Sequence, residues 1–75
     1  MIVDTARYGD TPSDYEEVMR NHRNRLLAES DWSQMADSPL SDAQRQAWAT
    51  YRQALRDFPS TWTPAPIADF PEPPQ

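Results

Sequence analysis

Two stretches of this chain carry apolar residues at helical spacing. In the first, Tyr15, Val18, Met19, His22 and Leu26 recur three and four residues apart, which brings them to one face of a helix. Thr11 stands before them as an N-cap, and Pro12 takes the first helical position, where a missing N–H costs nothing. Asp14, Glu16 and Glu17 then put negative charge at the positive end of the helix dipole. The spacing predicts a helix over 12–29, with Glu16 and Arg20 four residues apart and able to pair on a neighbouring face. In the second stretch, Ala47, Trp48, Tyr51, Ala54, Leu55 and Phe58 trace a single face. Ser41 and Gln44 fit a capping box at its start, and Pro59 is expected to end it, which predicts a helix over 42–58. Each helix would be ~25 Å long at 1.5 Å per residue. Matched lengths suggest an antiparallel hairpin in which Trp48 and Tyr51 pack on Val18, Met19 and Leu26.

The remaining segments lack that period. Residues 1–11 offer Ile2 and Val3, then Asp4, Thr5, Gly9 and Asp10, which reads as one short strand entering a turn. A lone strand has unpaired backbone groups, so it must pair with the tail or a partner, or stay mobile. The connection over 30–41 is longer than the usual ~2–8 residues between helices. It is therefore expected to hold structure of its own, with Trp32 folding back over one end of the hairpin. From 59 to 75 the chain has six prolines with Trp62, Ile67 and Phe70 between them. Such a segment favours extended conformation, and Trp62 or Phe70 is expected to fill a groove on the helices. The predicted fold class is thus all-α: a two-helix hairpin (12–58) with an extended N-terminal arm (1–11) and a proline-rich C-terminal arm (59–75).

Composition narrows the function. Seventy-five residues form one small domain, and a core of that size rarely supplies more than ~3–5 kcal/mol. With no cysteine there is no disulfide or thiolate metal site. No apolar run reaches the ~18 residues of a membrane span, and Met1-Ile2-Val3-Asp4 lacks a signal-peptide pattern. A soluble protein of the cytosol is expected. The net charge of −5 opposes nucleic-acid binding by counterion release, so neither nucleic acid nor membrane is an expected partner.

No candidate active site emerges. The single histidine, His22, sits within the first apolar stripe without a second ligand at helical spacing, and reads as a core or interface residue. The twelve carboxylates are spread through caps, turns and tails, and one glycine, Gly9, cannot make a phosphate loop. A non-enzymatic protein with no cofactor or metal is the expectation.

What stands out is arginine. All seven cations are arginine and none is lysine. A GC-rich genome explains that through codon usage, and a partner interface explains it through the planar guanidinium. Arg45, Arg52 and Arg56 fall on one stripe of the second helix, with Trp48 within reach of the first two for cation–π contact. Leu27 points off the main stripe of the first helix. Together with Trp32, Trp62 and Phe70, these residues have the anchor types of interface hot spots. The candidate partner-binding set is therefore Leu27, Trp32, Arg45, Trp48, Arg52, Arg56, Trp62 and Phe70. A solvated charged edge, paired with Glu16 or Glu17 across the hairpin, is the plainer reading of the arginine stripe. The match Pro71-Glu72-Pro73-Pro74 to a P-x-x-P ligand is read as part of a terminal extended arm.

Arg20, Arg23, Leu26 and Leu27 are followed by the Asp31-Trp32 pair, then by Trp48, Tyr51, Arg52, Leu55 and Arg56, and by an aromatic-Pro-x-x-Pro end that starts at Phe70. In that order these motifs, over residues about 20 to 74, resemble the phage tail assembly chaperone family. Tryptophan often holds that last aromatic position in the family, and longer relatives carry a β-rich N-terminal region that this chain nearly lacks. The resemblance implies a protein of a tailed phage or prophage that assists tail or tail-fibre assembly by binding a tail or fibre protein. It implies no catalytic residue, and it places the protein in the bacterial host cytoplasm during assembly. The alternative is a structural virion component, an adaptor on the fibre or baseplate.

Overall fold

The computed structural model describes residues 1–74. In chain order it has a strand β1 (Ile2–Asp4), a helix α1 (Pro12–Glu29), a 3₁₀ turn (Asp31–Gln34), a helix α2 (Asp42–Thr61) and a strand β2 (Ile67–Asp69). The helices form the expected hairpin, but the fold is not purely α. The two strands pair antiparallel, with Ile2 opposite Asp69, Val3 opposite Ala68 and Asp4 opposite Ile67. Of the three fates open to β1, pairing with the tail is the one adopted. Met1 and Phe70 extend the ladder at one end, where the Phe70 N–H donates to the Met1 carbonyl at 2.8 Å. At the other end the Thr5 N–H donates to the Pro66 carbonyl at 2.9 Å, and the buried Thr5 hydroxyl bonds the Ala65 carbonyl.

Both helix starts are set by reciprocal caps. The Asp14 N–H donates to Thr11 Oγ1 and the Thr11 N–H to Asp14 Oδ2, each at 3.2 Å. At α2 the Gln44 N–H reaches Ser41 Oγ at 3.2 Å and the Ser41 N–H reaches Gln44 Oε1 at 2.9 Å. Gly9 belongs to the first cap as well. A Cβ there would lie 2.1 Å from the Asp14 carboxylate oxygen, so a side chain would displace the capping group. Glu16 and Arg20 pair at 2.7 Å, as their spacing predicts.

The far end of α2 departs from expectation. The helix runs through Pro59 to Thr61 instead of stopping at 58. A proline in the last turn removes only the bond its own N–H would have made. The next turn still closes, because the Trp62 N–H donates to the Phe58 carbonyl at 3.0 Å. The extended tail therefore begins three residues later than predicted.

The core also differs. Its buried members are Met19, Tyr51, Leu55, Ala68 and Phe70, with Met1, Val3, Leu26, Leu27, Trp48, Phe58 and Trp62 packed around them. Val18, expected against Trp48 and Tyr51, instead lines a groove beside β1. The tail instead adds Ala68 and Phe70 to the buried cluster. The radius of gyration is 13.8 Å, against about 11 Å for a compact chain of this length. An elongated molecule buries little, so a few contacts must hold it.

Candidate partner interface

Of the eight residues singled out from the sequence, Arg45, Trp48, Arg52 and Arg56 lie on α2. Two aromatic groups form along that helix, one around Trp48 and one around Phe58, ten positions further on and so about 15 Å away along the axis.

At the first group, the 3₁₀ turn after α1 brings Trp32 edge-on to Trp48, with ring centroids 5.5 Å apart. Trp48 in turn meets Tyr51 edge-on at 5.7 Å. Trp32 is 44% exposed and Met35 56% exposed, so this end of the hairpin shows an apolar surface. Trp48 is half-buried and its aromatic neighbours meet it edge-on; the cation–π contact among the described residues is Arg7 over Tyr8 at 5.9 Å.

Arg52 is not part of a surface ridge. It is 8% exposed and reaches into the C-terminal end of α1. Its Nη1 donates to the Leu27 carbonyl at 2.6 Å and to Ser30 Oγ at 2.8 Å, and its Nη2 pairs with Asp31 Oδ1 at 2.7 Å. Ser30 Oγ passes a bond on to the Leu26 carbonyl at 2.9 Å, and Ser33 Oγ bonds the Ser30 carbonyl at 2.6 Å. The last turn of a helix has carbonyls without intrahelical donors and a partial negative charge. A guanidinium satisfies both, and α1 supplies no cation of its own in its last turn. Arg52 therefore fastens α2 to the end of α1, where pairing with Glu16 or Glu17 had been considered. Arg45 is half-buried, with Nη2 at 3.4 Å from the Ser38 carbonyl. Arg56 is exposed and has no ion pair among the described residues. Leu27 packs against the core rather than standing clear of it.

At the second group, Trp62 stacks on Phe58 at 6.0 Å and Phe58 on Phe70 at 4.6 Å. Phe70 is 2% exposed, so it serves the fold and has no surface to offer a partner. The accessible part of the predicted set reduces to Trp32, Arg56 and the outer faces of Trp48, Arg45 and Trp62. Ser30 and Asp31 hold Arg52 and Ser33 braces Ser30; sequence reasoning did not find this site, and the one hint of it was a cluster of short polar side chains next to a helix end.

His22 continues the second aromatic row, 5.1 Å from Phe70. Arg25 Nη2 lies 2.8 Å from His22 Nδ1. A guanidinium can only donate, so Nδ1 accepts and the ring proton is assigned to Nε2. That atom is buried without a partner among the described residues. Burial first, and the Arg25 charge second, lower the imidazole pKa below its ordinary value, opposed by Glu29. A base with a depressed folded pKa supports the fold fully above its unfolded value of about 6.5. That support is lost as pH falls from there through the folded pKa. Melting temperature should drop between pH ~7 and ~5 in the parent, and His22→Leu should flatten that slope; an identical slope in both would remove His22 as its source.

No group of three or more acidic, histidine or cysteine side chains among the described residues is placed to hold a metal ion. No described helix is long and apolar enough to cross a membrane. A family model described as phage tail assembly chaperone protein matches residues 16–75, which takes in α1 from Glu16 onward, α2 and β2. Among curated proteins and among solved structures no significant match was found.

Proposed function

The chain belongs to the phage tail assembly chaperone family, and from that membership we propose that it is a non-enzymatic protein that assists tail or tail-fibre assembly by binding a tail or fibre protein in the infected host. The observation that carries this reading is the extent of the match, from the first turns of α1 through the tail. A second observation supports binding over catalysis. The exposed Trp32 lies edge-on to the half-buried Trp48, with the exposed Met35 three residues further along the chain, and aromatic residues and methionine are enriched at interfaces.

Deleting the gene from its phage or prophage tests the role. Negative-stain images should show normal heads with missing or malformed tails, and supplying the protein in trans should restore infectious particles. Intact tails in the deletion would refute the proposal. Mass spectrometry of purified particles then separates a chaperone, which should be missing, from a retained structural component, which should be stoichiometric.

A further inference from the structure

A two-stranded sheet has two open edges, and in this one the edge of β1 borders a groove. The hydrogen-bonded pairs of the ladder follow from its ends. Met1 with Phe70 and Thr5 with Pro66 are bonded pairs, so the alternation of an antiparallel ladder makes Val3 and Ala68 the bonded pair between them. Ile2 and Asp4 must then aim their N–H and C=O groups away from β2. No described residue accepts from or donates to those groups. The space they face is a groove of about 520 Å³ between β1 and α1, lined by Ile2, Val3, Val18, His22, Arg7 and Arg25, and by no residue of β2.

We propose that this groove receives an extended segment of the partner protein, which adds to β1 as a third strand. The proposal rests on the assembly reading above and names its docking mode. Adding a strand to an open edge takes its affinity from main-chain bonds and its selectivity from alternate side chains. Ile2 is 63% exposed on the outer face of the sheet, while Val18 lines the groove from α1, so the guest's alternate side chains meet an apolar neighbour on each face. The charge of the site picks the guest. The whole chain has a net charge of −5, yet two arginines flank this groove. Arg7 has no ion pair among the described residues, and Arg25 has Glu29 only at 3.7 Å. Asp4 is the opposing carboxylate, and it is engaged with the Ala6 N–H at 2.9 Å. The fitting guest is a strand of alternating apolar residues with a carboxylate near Arg7 and Arg25. A second copy of this chain fits less well, since it would bring a further −5.

The test uses the full-length chain with two probes: the intact tail and fibre proteins of the same phage, and overlapping synthetic peptides that cover them. Fluorescence anisotropy reads affinity, and hydrogen exchange reads the Ile2 and Asp4 amides. Ile2→Pro removes an outward N–H without touching the Val3–Ala68 pair, and Arg7→Glu reverses the charge. The expected result is a peptide of the described pattern that slows exchange at Ile2 and Asp4, with affinity about tenfold weaker for either variant, the loss expected for one charge-assisted or main-chain bond. The exchange measurement stands even where a variant misfolds. A tail protein bound equally well by parent and Ile2→Pro, with both amides still exchanging, would overturn the edge proposal and leave the assembly reading intact. Self-association abolished by Ile2→Pro would overturn it in favour of a second copy, and no binding by any probe would overturn both readings.

Discussion

Arg52→Ala should unfold this protein at room temperature. Its guanidinium makes two short bonds to buried acceptors, the Leu27 carbonyl and Ser30 Oγ. Bonds from a charged donor contribute about 1.5–3 kcal/mol each. Their joint loss, about 3–6 kcal/mol, reaches what a core of this size supplies in total. The ion pair to Asp31 is the smaller part, because that carboxylate is 59% exposed and solvated pairs are worth under about 1 kcal/mol. Asp31→Ala should therefore lower the melting temperature by only a few degrees, at roughly 4–8 °C per kcal/mol. Arg52→Lys should fall between the two, since an ammonium cannot span the same fork. Thermal melts by circular dichroism rank the three variants. If Arg52→Ala melts close to the parent, solvent has replaced the fastening and the account of the hairpin is wrong.

Phe70→Ala is the second large effect expected. The ring fills the space between His22 and Phe58, and truncating a buried aromatic costs about 3–5 kcal/mol. Its backbone also ties β2 to Met1, so the loss should spread to the sheet. Far-ultraviolet dichroism should keep part of its helical signal while amide exchange at Val3 and Ala68 becomes fast. A variant with a protected sheet and parental stability would show that Phe70 is not the keystone of the tail. The same substitution serves as a warning for binding studies. A loss of partner binding in Phe70→Ala reports on the fold, because the side chain has no exposed surface.

What could be read from sequence was local. Both caps depend on residues three apart, Thr11 with Asp14 and Ser41 with Gln44, so their signals lie within one turn. The starts of α1 and α2 follow from them. The contact of Trp32 with the hairpin was legible too, because a connection that long with one large aromatic favours laying the ring against the helices, although the ring stays 44% exposed. What was not legible was global. Arg52 sits on the flank of an amphipathic face, where a solvated and a buried arginine look alike. Only the position of the α1 end, 22 to 25 residues earlier in the chain, decides between them. Phe70 presented the same ambiguity as a possible anchor for a partner, resolved by a strand pairing that spans nearly the whole chain. The extension of α2 past Pro59 was missed because the rule that proline ends helices is weakest in a final turn, where one lost bond costs little.

The pairing of β1 with β2 also fixes the order in which the molecule can assemble. A chain made from its amino end produces β1 before either helix and β2 after both, so Ile2 and Val3 wait without their strand partner while the rest forms. The Arg52 fastening closes across 25 positions, and the Thr5–Ala65 bond closes across 60. Contacts of shorter span form sooner as a rule, so the hairpin should exist as a species of its own with β1 loose and the Phe70 slot empty. An unpaired apolar strand in such a species invites pairing with other chains. A strand of three residues limits that risk, since it offers another chain few backbone groups. Its own tail then takes one of its two edges and leaves the Ile2 and Asp4 edge open.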